Sequence, residues 1–163
     1  VTLPCDIMVE QVNGNQLVRW PLANNVFDTW HIGQVSTYEF PEGYGPKVFK
    51  FLHGWQIVTP KGWSSYITHP LGYPNLPSKA LSGIVDTDDF SIPFNMFLKL
   101  RDPNFEGMIP AGTPFLQIIP FKRDAWESSL GGEKERKKFD TDTRKFQRVF
   151  FDRYKKFWWN KTF

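Results

Sequence analysis

The chain has 163 residues, 40% of them hydrophobic, with a net charge of +3 and a single cysteine, Cys5. That length and composition fit one core-forming domain and exclude wholesale disorder, an intrachain disulfide and a multi-cysteine zinc site. No run of about 18 apolar residues is present, so no membrane-spanning helix is expected.

A load of 16 Phe and 7 Trp favours strands and interfaces, and 13 Pro with 12 Gly predicts many turns and few helices. A lone cysteine favours a reducing compartment. No secretion signal is recognised, so export by a signal of its own is not expected. The chain opens without Met in strand-like residues, and upstream residues are expected to be missing.

Cys5 to Glu10 alternates as a strand, and Asn13-Gly14 predicts a hairpin returning through Leu17-Val18-Arg19-Trp20. Pro21 to Asn25 is a turn. Val26 to Val35 fits either a strand or a helical turn. Glu39 to Pro46 is a loop, and Val48 to Phe51 is a strand. Trp55 to Thr59 reads as a strand ended by Pro60-Lys61-Gly62, and Trp63 to His69 as the next. Pro70 to Lys79 is a long loop. From Leu81 to Arg123 three apolar segments are punctuated by Gly, Pro and Asp, the mark of strands joined by tight turns.

Asp124 to Leu130 fits one or two helical turns, and Gly131-Gly132 is a hinge. The period then changes from two to about 3.6, with Phe139, Phe146, Val149, Phe150, Tyr154 and Phe157 on one stripe. This predicts one amphipathic helix over Thr141 to Trp158, with Asp140 or Thr141 as N-cap. Between Glu133 and Phe163 stand 11 Lys or Arg against five acids, a net +6, while the remainder of the chain carries −3. Residues 1–130 are therefore expected to form one domain and 131–163 a basic helical tail.

Two blocks carry a family resemblance. Gly83-Ile84-Val85-Asp86-Thr87-Asp88 resembles the third signature of the trimeric dUTPase and dCTP deaminase superfamily. Gly112-Thr113-Pro114-Phe115-Leu116-Gln117-Ile118-Ile119 resembles the fourth, and the spacing suits that family. The resemblance spans roughly Gly54 to Phe121. It implies a distorted, mostly antiparallel β-barrel of the β-clip type, assembled as a homotrimer. Leu3-Pro4-Cys5-Asp6-Ile7, Thr68-His69-Pro70-Leu71 and Ile109-Pro110-Ala111-Gly112-Thr113-Pro114 also resemble tailed-phage proteins, cyanophage proteins among them, and imply a viral origin.

In that family the motif-three Asp orients the attacking water, and Asp86 holds its place. The aromatic that covers the base should come three residues later, where Asp89 stands, and Phe90 follows one residue late. Ile92 replaces the usual Gly. Pro60-Lys61-Gly62-Trp63-Ser64-Ser65 is the nearest match to the phosphate-holding turn, yet it lies too far upstream and lacks the Arg. The first signature and the glycine-rich closing tail are not recognised.

These departures favour a non-catalytic phage protein that binds a nucleotide or a host factor at subunit clefts. Ser64, Ser65, Asp88, Asp89, Phe90 and Gln117 are the implied nucleotide contacts, and Asp86 is the catalytic residue only if the protein is an enzyme. The alternatives are a virion structural or interaction protein, and a hydrolase with a rearranged site using Asp86 as base. No cofactor is expected, and Mg²⁺ only alongside a bound nucleotide phosphate.

Asp86, Asp88 and Asp89 could attract a cation, but the preferred reading is a polar turn whose carboxylates accept backbone N–H bonds. His69 is expected to hydrogen-bond a loop carbonyl rather than a metal. Cys5 is expected to be an inert buried thiol. Phe146, Phe150, Tyr154, Phe157 and Trp158 form the expected interaction face of the tail. Docking onto the barrel or a neighbouring subunit is preferred there, with nucleic acid and a membrane surface as the other options.

Overall fold

The computed structural model describes residues 1–30, 43–44, 47–52, 54–90 and 92–159. The chain divides into two units, Val1–Asp124 and Ala125–Phe163. The boundary falls a few residues before the expected position at 130.

The first unit is built of short antiparallel strands. The Asn13-Gly14 hairpin forms as expected between β1 (Ile7–Val12) and β2 (Asn15–Arg19). Its two turn residues have φ of 51° and 75°, the type I′ geometry that matches strand twist. Of the ambiguous Val26 to Val35 segment, Phe27–Trp30 forms β3, paired with β4 (Val48–Phe51), and residues 31–35 lie outside the described residues. The part of the 39–46 loop at 39–42 and 45–46 lies outside the described residues.

Next come β5 (Trp63–Thr68), β6 (Ser78–Ala80), β7 (Gly83–Val85), β8 (Met96–Leu100), β9 (Gly107–Ile109) and β10 (Gln117–Lys122). They form three antiparallel sheets, ordered β2-β1-β9, β10-β5-β7 and β3-β4-β8-β6. The expected mostly antiparallel β architecture is therefore present. A closed barrel is not: among the described residues no ladder joins the three sheets. Instead the sheets share one core that includes Ile7, Val9, Phe51, Met96, Leu98 and Phe115.

Two expected elements of this region change. Trp55 to Thr59 forms no strand, and Thr59 N–H donates to Thr87 O at 3.2 Å. Val58 is 72% exposed while Ile57 packs against the core, so the segment touches the core without joining a ladder. The loop after Pro70 ends earlier than expected, because Ser78 and Lys79 pair with Leu100 and Lys99 in β6–β8.

Cys5 is buried within this core. Burial pushes its thiol above the ordinary value, and the neighbouring Asp6 adds to the shift. The thiolate is the reactive form, so alkylation of the native protein should run roughly 100-fold slower than in denaturant. Rapid stoichiometric labelling of the native protein by a chromogenic disulfide would contradict this placement.

The second unit holds α1 (Glu133–Gln147) and α2 (Arg153–Phe157). The single helix expected over Thr141 to Trp158 is replaced by these two. Asp140 and Thr141 lie inside α1, and the N-cap is Gly132, whose N–H donates to the Glu135 carboxylate at 2.9 Å. Glu133 and Lys137 pair at 2.9 Å one turn apart. The acids in the first turn and Arg144 and Lys145 in the last complement the helix dipole. Charge thus starts the helix where the apolar stripe is silent. The interruption follows Val149-Phe150-Phe151, a run of poor helix formers, and Asp152 has φ of 52°. The helical turns expected over Asp124 to Leu130 do not form. Trp126 and Leu130 are almost fully exposed, so no packing supports so short a helix. Among the described residues no helix is long and apolar enough to cross a membrane.

Candidate functional site

The site grows out of the register of β5. Ser65 pairs with Val85 of β7 and with Pro120 of β10. Side chains alternate along a strand, so Ser64, Asp86 and Arg123 fall on one face at one end of the sheet. Ser65 points to the other face.

Ser64 Oγ donates to Asp86 Oδ1 at 2.6 Å and accepts from Arg123 Nη1 at 2.9 Å. The same guanidinium grips Asp88 with both amino groups, Nη1 to Oδ1 at 2.9 Å and Nη2 to Oδ2 at 2.5 Å. Gly62 N–H donates to Asp88 Oδ2 at 2.7 Å. The Asp88 side chain is 4% exposed, whereas that of Asp86 is 66% exposed. The Arg123 hydrogen bonds, followed by that from Gly62, lower the Asp88 pKa to about 2. In return Asp88 raises that of Arg123.

Behind this cluster Ser65 Oγ lies 3.0 Å from Thr87 Oγ1, and Thr87 lies 2.7 Å from Thr59 Oγ1. These hydroxyls satisfy one another inside the fold, as buried polar groups must. Ser64 and Ser65 are both fully buried, so neither hydroxyl is open to a substrate.

Asp86 differs from its neighbours. Its Oδ1 is fixed by Ser64 and Arg123, while Oδ2 has no hydrogen-bond partner among the described residues. It stands at an open groove of about 570 Å³ that also includes Asp89, Phe90, Ile92, Phe94 and Phe97. The Phe90 and Phe94 rings meet edge to face, centroids 6.3 Å apart, and Phe90 stays 41% exposed. The backbone brings them there through a turn in which Asp89 and Phe90 N–H both donate to Asp86 O. The groove therefore offers a directed carboxylate oxygen beside an aromatic face. That pair can accept hydrogen bonds from a ligand's amino, imino or hydroxyl groups and stack on its ring.

Of the expected contacts, Asp86, Asp89 and Phe90 thus converge on one groove. Ser64 and Asp88 brace it from behind, and Ser65 faces the interior. Gln117 is elsewhere: it pairs with Thr68 at the far end of β10, and its Oε1 accepts from Leu71 N–H at 2.8 Å. It secures the loop after β5 instead of touching a ligand in this groove. His69 likewise holds that loop, with Nε2–H donating to Tyr73 O at 2.9 Å. Among the described residues no group of three or more His, Cys, Asp or Glu side chains is placed to hold a metal ion. Asp88 is the polar-turn carboxylate of the group.

Arg123 is the residue that reading the sequence did not assign. It follows directly on β10, and only the β5–β10 register brings it to Asp86 and Asp88.

In the second unit Phe146, Tyr154 and Trp158 surround one groove together with Phe139. Phe157 packs against Trp158 at 5.4 Å. Phe150 does not join them. It lies in the break between helices, edge to face with Phe151 at 4.7 Å.

No protein-family model, no curated protein and no solved structure matches the chain.

Proposed function

We propose that the first unit is a non-catalytic binding module of phage origin on a dUTPase-like β-clip scaffold. It takes the nucleoside end of a nucleotide in the groove from Asp86 to Phe97. The observation that carries this reading is the Asp86 carboxylate, fixed at one oxygen and open at the other beside Phe90. Among the described residues the groove holds two carboxylates, Asp86 and Asp89, and no Lys or Arg, and the nearby Arg123 is already paired with Asp86 and Asp88. That charge favours a base or sugar over a bare triphosphate.

Assembly as a homotrimer belongs to the same proposal. The sheet carrying the site has an apolar row on its outer face: Tyr66 is cross-strand partner to both Ile84 and Ile119, and Ile84 is 64% exposed. Such a row suits a subunit interface. It equally supports the second reading, a virion component whose role is assembly alone.

A thermal-shift panel of nucleosides and nucleotides tests the ligand, and light scattering tests the assembly. A nucleoside should stabilise the protein. Calorimetry should then show affinity lowered about tenfold by Asp86→Asn or Phe90→Ala. No shift with any member of the panel removes the nucleotide reading, and unaltered affinity in both variants moves the site elsewhere.

A further inference from the structure

We infer that the second unit is a binding surface for single-stranded nucleic acid, a role separate from the groove beside Asp86. From Glu133 to Trp159 every apolar side chain except Val149 is aromatic. No residue of α1 or α2 is buried. Phe139, Phe146, Tyr154 and Trp158 surround an open groove of about 620 Å³. Phe150 and Phe151 are 79% and 76% exposed in the break between the helices.

Cations sit over several of these rings. Arg153 lies 5.2 Å from the Phe146 centroid, Lys155 5.4 Å from that of Trp159, and Lys156 6.0 Å from that of Phe157. Rings that stack bases are thus interleaved with charges that neutralise phosphates, the combination used for unpaired strands. The acids do not cancel it. Asp142 already lies near Lys145 at 3.7 Å and Lys138 at 3.9 Å, and Glu135 caps Gly132. The segment from Glu133 onward keeps 11 basic residues against five acidic.

Charge and side-chain type choose this occupant over the others. A bilayer requires a broad apolar helix face, and α1 supplies only Phe139 and Phe146 in its 15 residues. A protein interface is depleted in Lys, and Glu133 to Trp159 carries six of them. Exposed rings with a net positive field fit a polyanion that has accessible ring faces of its own. In a duplex those faces are covered.

The test uses the full chain and fluorescein-labelled oligothymidylate and oligouridylate, each about 15 nucleotides long. Anisotropy should show binding at roughly 50 mM salt, weakening steeply by roughly 200 mM as counterions are released. A Phe150→Ala/Phe151→Ala variant loses two exposed rings and should bind about tenfold more weakly at fixed salt. A Lys155→Glu/Lys156→Glu variant should bind more weakly and show a shallower salt dependence. Circular dichroism confirms that each variant keeps its helices. The inference is overturned if neither oligonucleotide binds, if the ring variant binds as tightly as the parent, or if a duplex of equal length competes equally well. Anionic phosphatidylserine vesicles that bind where oligonucleotides do not would also overturn it.

Discussion

Arg123→Ala lowers the Tm of the first unit by roughly 5 °C at neutral pH, even though Arg123 itself is partly exposed. The reason lies in its partner. Asp88 has a side chain only 4% exposed and takes its charge balance from this one guanidinium. Removing the Arg leaves a buried carboxylate with only backbone N–H donors, those of Gly62 and of Asp88 itself. Asp88→Asn costs less, because the Arg it abandons is 40% exposed and can be hydrated. The double variant Arg123→Ala/Asp88→Asn should therefore melt above Arg123→Ala alone. Equal Tm values for those two would show that no unpaired charge is involved.

The pH dependence has a definite sign. The Asp88 pKa is lowered in the folded protein, from an ordinary 3.8 to about 2. Its contribution is complete above the ordinary value and fades as pH falls from near 4 toward 2. Without Arg123 the largest lowering influence is gone while burial still raises the pKa. Acid unfolding of Arg123→Ala should thus begin at higher pH than in the parent. Melting curves from roughly pH 2 to 7 measure this directly, and parallel profiles for the two proteins would refute it.

Phe115→Ala has the larger effect, about 3–5 kcal/mol of lost stability. Phe115 is 1% exposed, and its ring meets that of Phe51 edge to face at 4.7 Å. The deletion opens a cavity between strands from different sheets, which cannot collapse onto it without breaking ladders. Its backbone N–H donates to Val1 O, and the adjoining Pro114 bridges Thr2, so the cavity adjoins the seam closed by the first residues. Phe115→Leu should cost under about 1.5 kcal/mol, since most of the volume is kept. Urea titrations should show the midpoint falling with the slope unchanged. A midpoint within error of the parent would mean that this ring does not anchor the core.

The local chemistry of the chain made much of this legible. Asn13-Gly14 announced a hairpin, and the punctuation from Leu81 to Arg123 marked β7 to β10. Asp86, Asp89 and Phe90, chosen on the motif resemblance, share one groove because one short turn carries all three. Whatever depended on register was not readable. Ser64 and Ser65 are adjacent in sequence and look equivalent, but the two-residue period sends them to opposite faces, so only Ser64 touches Asp86. Gln117 matched a motif, yet pairing with Thr68 puts it beside Leu71. Arg123 reaches its carboxylates across more than 30 positions. The start of α1 escaped for another reason. Its first turns hold charge pairs and no apolar stripe, and a reading based on hydrophobic period passes over them.

The long reach of the ladders also governs when this protein can acquire its shape. Ile7 of β1 finds its neighbour Ile109 about a hundred positions later, and β5 waits some fifty positions for β10. On the ribosome, β1 and β2 can close as a hairpin early, but the outer side of β1 stays without its second ladder until β9 has left the exit tunnel. Arg123 comes later still, so the clasp on Asp88 and the setting of Asp86 form only after β9 and β10 have been made. A chain stalled or cut before that point would present unpaired strand edges and apolar side chains to its surroundings. The setting of Asp86 and the cover for the β1 edge thus both wait for the stretch from β9 to Arg123.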